Sequence, residues 1–110
     1  MVSNSQMPLS VDEIIACFQR KWHVTYDIQL IVREKRLYLQ IMWGYLEQQS
    51  FPMNEESYRE HVNAVIEIIN RLGLSAQVRE WIYTTPHKPR LGRALTFYLQ
   101  GDERLKEFLI

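Results

Sequence analysis

The chain is 110 residues long, 46% hydrophobic and 12% aromatic, with 13 lysines and arginines balanced by 13 aspartates and glutamates. That describes one ordinary domain with enough apolar material for a core that needs no disulfide or metal staple. Zero formal net charge, spread along the chain, argues against a histone-like nucleic-acid binder, an acidic buffer or a disordered tail.

Residues 1–9 mix small, polar and proline residues and are expected to form a flexible arm, with residues 10–110 as a single globular domain. Ser10 and Glu13 have capping-box spacing, Leu9 is placed to staple onto Ile14, and Ile14, Ile15, Phe18 and Trp22 make one apolar stripe. Arg20 and Lys21 sit in the last turn of that helix, where cations suit its dipole. From Thr25 the period becomes two, with Tyr26, Ile28, Leu30 and Val32 on one face. Charged residues 33–36 form a tight connection to Leu37, Leu39, Ile41 and Trp43, the second arm of a hairpin. The connection lacks the Asn-Gly that favours a primed turn.

Residues 44–52 keep neither period, and Pro52 bars a helix through them, so a structured connection with about one helical turn is expected. Asn54 caps a second helix with Glu55 and Glu56 in its first turn. Its stripe is Tyr58, Val62, Val65, Ile66, Ile69 and Leu72, and Gly73 is its stop. Ser75 caps a third helix, carrying Val78, Trp81 and Ile82, which ends before Pro86. After PHKPRLGR, residues 86–93, Leu95, Phe97 and Leu99 alternate as a third strand, and Gly101 and Asp102 open a last short helix with Leu105, Phe108 and Leu109. The order α-β-β-α-α-β-α reads as an α+β two-layer domain, a small antiparallel or mixed sheet of three strands packed against helices. The two-helix excursion lets the third strand pair beside either of the others.

Recognised chemical motifs are sparse. There is no Gly-rich phosphate loop, and His23, His61 and His87 lie far apart, so no metal or cofactor is expected unless folding gathers them. The single cysteine, Cys17, lies beside the first apolar stripe and reads as a buried, inert thiol. It allows no internal disulfide and fits a reducing, cytoplasmic compartment. The start MVSNSQMPLS lacks signal- and transit-peptide character, and no apolar run approaches the roughly 20 residues that span a bilayer, so no transmembrane segment is expected.

Two surfaces stand out. In the loop 86–93, Lys88, Arg90 and Arg93 give three positive charges with no nearby acid. They suit an acidic protein surface, a phosphate or RNA, or they are simply solvated. In MWGYLEQQSFP, Trp43 and Leu46 read as core, Tyr45 and Phe51 as core or as an apolar anchor for a partner, and Glu47, Gln48 and Gln49 as a polar rim.

The strings KWHVTYDIQL, MWGYLEQQSFP, QVREWI and KPRLGR, in this order, resemble a small family of cyanobacterial and plant-chloroplast proteins classed as a domain of unknown function. The resemblance runs from about residue 10 to the C-terminus. It implies an α+β fold and a cyanobacterial member working in the cytoplasm. It carries over no catalytic, cofactor or ligand residue.

The leading expectation is therefore a small, non-enzymatic accessory or protein-interaction protein of photosynthetic cells. Its partner would be a protein met by Lys88, Arg90 and Arg93 on the acidic side and by Tyr45 and Phe51 on the apolar side. The alternative is binding of RNA or another phosphate-bearing ligand by the same loop. A third reading is an enzyme with a site of no known motif, which would show as a deep pocket holding His61 or His87 beside a carboxylate.

Overall fold

A computed structural model describes residues 7–101. Its elements are α1 (Val11–Trp22), β1 (Tyr26–Arg33), β2 (Arg36–Tyr45), α2 (Glu55–Arg71), α3 (Ser75–Thr84) and β3 (Leu95–Leu99). The α+β expectation holds through β3, and the short helix expected after Gly101 lies outside the described residues. The sheet is antiparallel throughout in the order β1-β2-β3, so the third strand joins the second and leaves β1 and β3 as the edges.

The Ser10 side chain accepts the Glu13 N–H at 3.1 Å and caps α1. Glu13 does not return the bond as a capping box would. Its carboxylate instead makes a two-pronged ion pair with Arg79 of α3, one arm at 2.8 Å. A bidentate guanidinium is a stronger partner than one backbone amide, so the tertiary contact wins. Arg79 also donates to the Met7 carbonyl at 3.0 Å. Leu9 is buried, and the Asn70 amide grips both of its backbone groups at 2.8 and 3.0 Å.

The β1–β2 turn places Glu34 and Lys35 at φ of 54° and 62°. Two left-handed residues make the primed geometry that matches strand twist, here without the glycine or asparagine that adopts it at least strain. At the other end of the hairpin, Tyr26 pairs with Tyr45 while Asp27 pairs with Met42, so Trp43 and Gly44 bulge out of the ladder. β2 therefore runs on to Tyr45, past the point where its alternation fails. Beyond it lie hydrogen-bonded turns, Gln48 N–H to Tyr45 O and Phe51 N–H to Gln48 O, and no helical turn.

Asn54 caps α2 by accepting the Ser57 N–H at 2.8 Å. Gly73, at φ 74°, lets the Leu74 N–H turn back onto the Ile69 carbonyl at 3.0 Å. Leu74 thus closes α2 and also stands at the cap position of α3, where its side chain offers no acceptor. Ser75 lies inside that helix, buried, rather than capping it. α3 stops at Thr84, and Thr85 is extended, as the following Pro86 requires.

One core joins these elements. Ile28, Leu37, Leu39, Ile41 and Leu99 of the sheet meet Ile14 and Phe18 of α1, Tyr58, Val62, Ile66 and Ile69 of α2, and Val78 and Ile82 of α3. The opposite face of the sheet carries a polar ladder, Gln29 to Gln40 at 2.7 Å and Gln40 to Thr96 at 3.2 Å, beside the Tyr38 and Tyr98 rings. Among the described residues no helix is long and apolar enough to cross a membrane.

Candidate functional site

The loop leaving α3 is built from its prolines. Pro89 is buried and anchors the middle of the loop, while His87, Lys88 and Arg90 on either side stay exposed. Arg90 and Arg93 then form a one-rung antiparallel bridge, each N–H bonded to the other's carbonyl at 3.0 and 2.8 Å. Leu91 and Gly92 close the turn between them. Gly92 takes φ 76°, and a Cβ there would meet nothing within 4 Å, so the backbone angle rather than space calls for glycine. Directly opposed residues project from the same face, so the turn carries two like charges at opposed positions, a pairing that weakens the bridge. Leu91, at the tip, is 78% exposed.

Beside this turn is a pocket of about 490 Å³ lined by His87, Lys88, Arg90, Arg93, Ala94, Leu95 and Thr96. Among the described residues no carboxylate lines it. The ion pairs among the described residues, Arg59 with Asp12, Arg79 with Glu13 and His61 with Asp27, all lie elsewhere. The pocket is thus a cationic hollow, open at the start of an edge strand. Next to it, Trp81 of α3 and Phe97 of β3 stack with centroids 4.7 Å apart. Together with Gln77, Glu80 and Thr84 they line a shallower hollow of about 260 Å³.

The aromatic candidates sit differently. Tyr45 is half-buried between the Tyr26 and Trp43 rings, at 6.3 and 6.0 Å. Phe51 is half-buried against Tyr58 at 6.0 Å and lies over Gly44. Both pack on the core cluster. Glu47 is a clasp rather than part of a rim. Its carboxylate accepts the Thr25 N–H and hydroxyl at 2.8 and 2.7 Å and a Gln19 N–H at 3.0 Å. Burial pushes the Glu47 carboxyl up, but these bonds outweigh it and hold it below the usual glutamate value.

The residues named for catalysis are divided. His61 lies 3.3 Å from Asp27, but neither hollow includes the pair. His87 lines the basic pocket, which holds no carboxylate from the described residues. His61 has a structural task. Its Nε2 is 2.6 Å from the Ile28 carbonyl, which can only accept, so that nitrogen carries the proton. One turn earlier, the Tyr58 hydroxyl donates to the Tyr26 carbonyl at 2.7 Å. Among the described residues no three His, Cys, Asp or Glu side chains gather closely enough to hold a metal ion.

Fold and loop together define a small α+β domain with a cationic pocket at one sheet edge. The chain belongs to the family described as "Domain of unknown function (DUF3067)", whose model matches residues 12–109. It is similar to the Alr2454 protein from Nostoc sp. strain PCC 7120, solved by solution NMR. The two are 39% identical with a TM-score of 0.83, over 93% of this chain and 98% of that one. No curated protein matches the chain.

Proposed function

We propose that this protein is a small interaction protein of the cytoplasm of photosynthetic cells that docks an acidic segment of a partner protein in the pocket of loop 86–93. The observation that carries the reading is a set of three cations, Lys88, Arg90 and Arg93, around a hollow that no carboxylate of the described residues lines. A turn that opposes two arginines weakens itself, and an anion seated between them reverses that penalty. The buried free thiol of Cys17 agrees with a reducing compartment. Tyr45 and Phe51 already use their faces within the fold, so the proposal rests on the loop.

The test is titration with a labelled polyglutamate peptide, followed by anisotropy. Arg90→Glu with Arg93→Glu should weaken binding by roughly tenfold or more while the far-ultraviolet dichroism stays unchanged. Reversing Arg33 and Lys35, at the other end of the sheet, controls for net charge and should do much less. Equal losses in both variants would remove the pocket from the reading.

The same set of Lys88, Arg90 and Arg93 around one hollow favours a second reading, a phosphate-bearing ligand such as RNA. Labelled RNA that shifts at low salt, with affinity falling steeply as salt rises, would move the assignment there.

A further inference from the structure

The two edges of the sheet are finished differently. On β1, Tyr58 and His61 of α2 occupy the outward carbonyls of Tyr26 and Ile28. On β3, no described residue makes a backbone bond to Leu95–Leu99 from the outer side. The first side-chain partners come just past the strand, where Gln77 takes both backbone groups of Gln100 at 2.6 and 3.0 Å. An unpaired strand edge is a template for another strand.

Along this edge the chemistry changes in a fixed order. The basic pocket includes Leu95 and Thr96, the first residues of β3. The hollow with the stacked Trp81 and Phe97 follows at the strand's middle, and it contains Glu80. The Gln77–Gln100 pair closes the far end. An occupant would therefore find cations at one end, an aromatic floor with a carboxylate in the middle, and the outward backbone groups of Thr96 and Tyr98 to pair with, since Leu95, Phe97 and Leu99 turn theirs to β2.

We infer that β3 is a strand-addition site, on which an extended segment of a partner protein pairs with Leu95–Leu99 and lays its acidic end on Lys88, Arg90 and Arg93. This rests on the acidic docking proposed above and adds the mode of binding. Backbone pairing supplies affinity that does not depend on the partner's side chains. The basic end gives direction, and Glu80 keeps the acidic residues away from the middle.

The test uses the isotope-labelled full chain and a synthetic peptide of about eight residues, alternating valine and threonine followed by a run of glutamates, with blocked ends. Polyglutamate is the comparison. Two further peptides are N-methylated on alternate backbone amides, one in each phase, which removes outward donors without altering side chains. The patterned peptide should bind roughly tenfold more tightly than polyglutamate and protect amides within residues 95–99 from exchange. One phase of methylation should bring it down to the polyglutamate level while the other leaves it intact. Equal binding of patterned peptide and polyglutamate, or indifference to both phases, overturns strand addition and leaves acidic docking standing. Failure of every acidic peptide overturns both. Outer-edge amides of β3 already protected in the free chain overturn the inference, in favour of a second copy if sedimentation shows a dimer.

Discussion

At the β1 edge, two side chains one helical turn apart on α2 reach onto successive outward carbonyls. At the β3 edge, the neighbouring helix offers a tryptophan face and leaves the backbone to an arginine-flanked loop. A short sheet can thus have the start of one edge covered by the fold's own polar groups, at Tyr26 and Ile28, while the other has no such cover from the described residues and lies beside a charged pocket. Edge strands are usually blunted, so an edge that the described residues leave open, beside cations that none of them pairs, is a place to look for function. On β1 the Tyr58 contact is buried and the His61 contact half-buried, whereas the cationic turn is exposed and weakened by its own charges.

The comparison breaks most directly at Tyr58, whose ring is fully buried and whose hydroxyl serves the Tyr26 carbonyl. Tyr58→Phe keeps the ring and leaves that buried acceptor without its donor, which should cost about 1–3 kcal/mol in urea unfolding. Amide exchange should quicken in β1 before β3. A uniform loss across the sheet would mean the hydroxyl supports the core as a whole and not the edge.

The open side is more tolerant. Gly92→Ala meets no steric obstacle but puts a side chain at φ 76°, so the expected cost is about 1 kcal/mol, confined to the Arg90–Arg93 turn. Anion affinity should fall with it, because the turn is what sets Arg90 and Arg93 opposite each other. Unchanged affinity would show that the pocket works without the turn's geometry.

Much of the architecture could be read from local signals. The helical stripes, the Asn54 cap, the Gly73 stop and the alternation of Leu95, Phe97 and Leu99 all appear where periodicity placed them. What periodicity could not show was decided by contacts distant in sequence. Glu13 gave up its local cap for Arg79, 66 residues away. Tyr58 reads as one more apolar position in a stripe, and nothing local says its hydroxyl will meet a strand 32 residues earlier. The Trp43–Gly44 bulge did leave a trace, since a glycine inside an alternating run is a bulge signature as well as a strand end. In the loop, the charges were legible by composition, and Arg-Leu-Gly-Arg, with glycine third of four, also carried the turn that opposes the two arginines.

The sealed edge also has a pH signature. Burial raises the Asp27 carboxyl, against the pull of His61 and of the Ile28 N–H. The folded chain therefore holds that proton to higher pH than the unfolded chain. Between the ordinary aspartate value and the raised one, the Asp27 contribution to stability falls as pH increases, and it is flat above. Glu47 runs the other way. Its lowered value gives stability that is present above the ordinary glutamate range and is lost as pH falls through it. Asp27→Asn keeps an acceptor for the Ile28 N–H and should remove only the first trend. Urea midpoints across the mildly acid range would show this, and an unchanged slope in the variant would acquit Asp27.

The smallest expected effect on stability is the one that separates the two edges most clearly. Replacing Arg90 and Arg93 together with alanine removes two like charges held opposite each other on an exposed turn and takes away no ion pair among the described residues. Folding stability should stay level or rise by up to about 0.5 kcal/mol, while affinity for an acidic peptide drops. A residue kept for the fold shows the opposite pattern, as Tyr58 should. If the double alanine variant instead unfolds at clearly lower denaturant, the two arginines hold the loop in place, and the contrast between a structural edge and a working edge collapses.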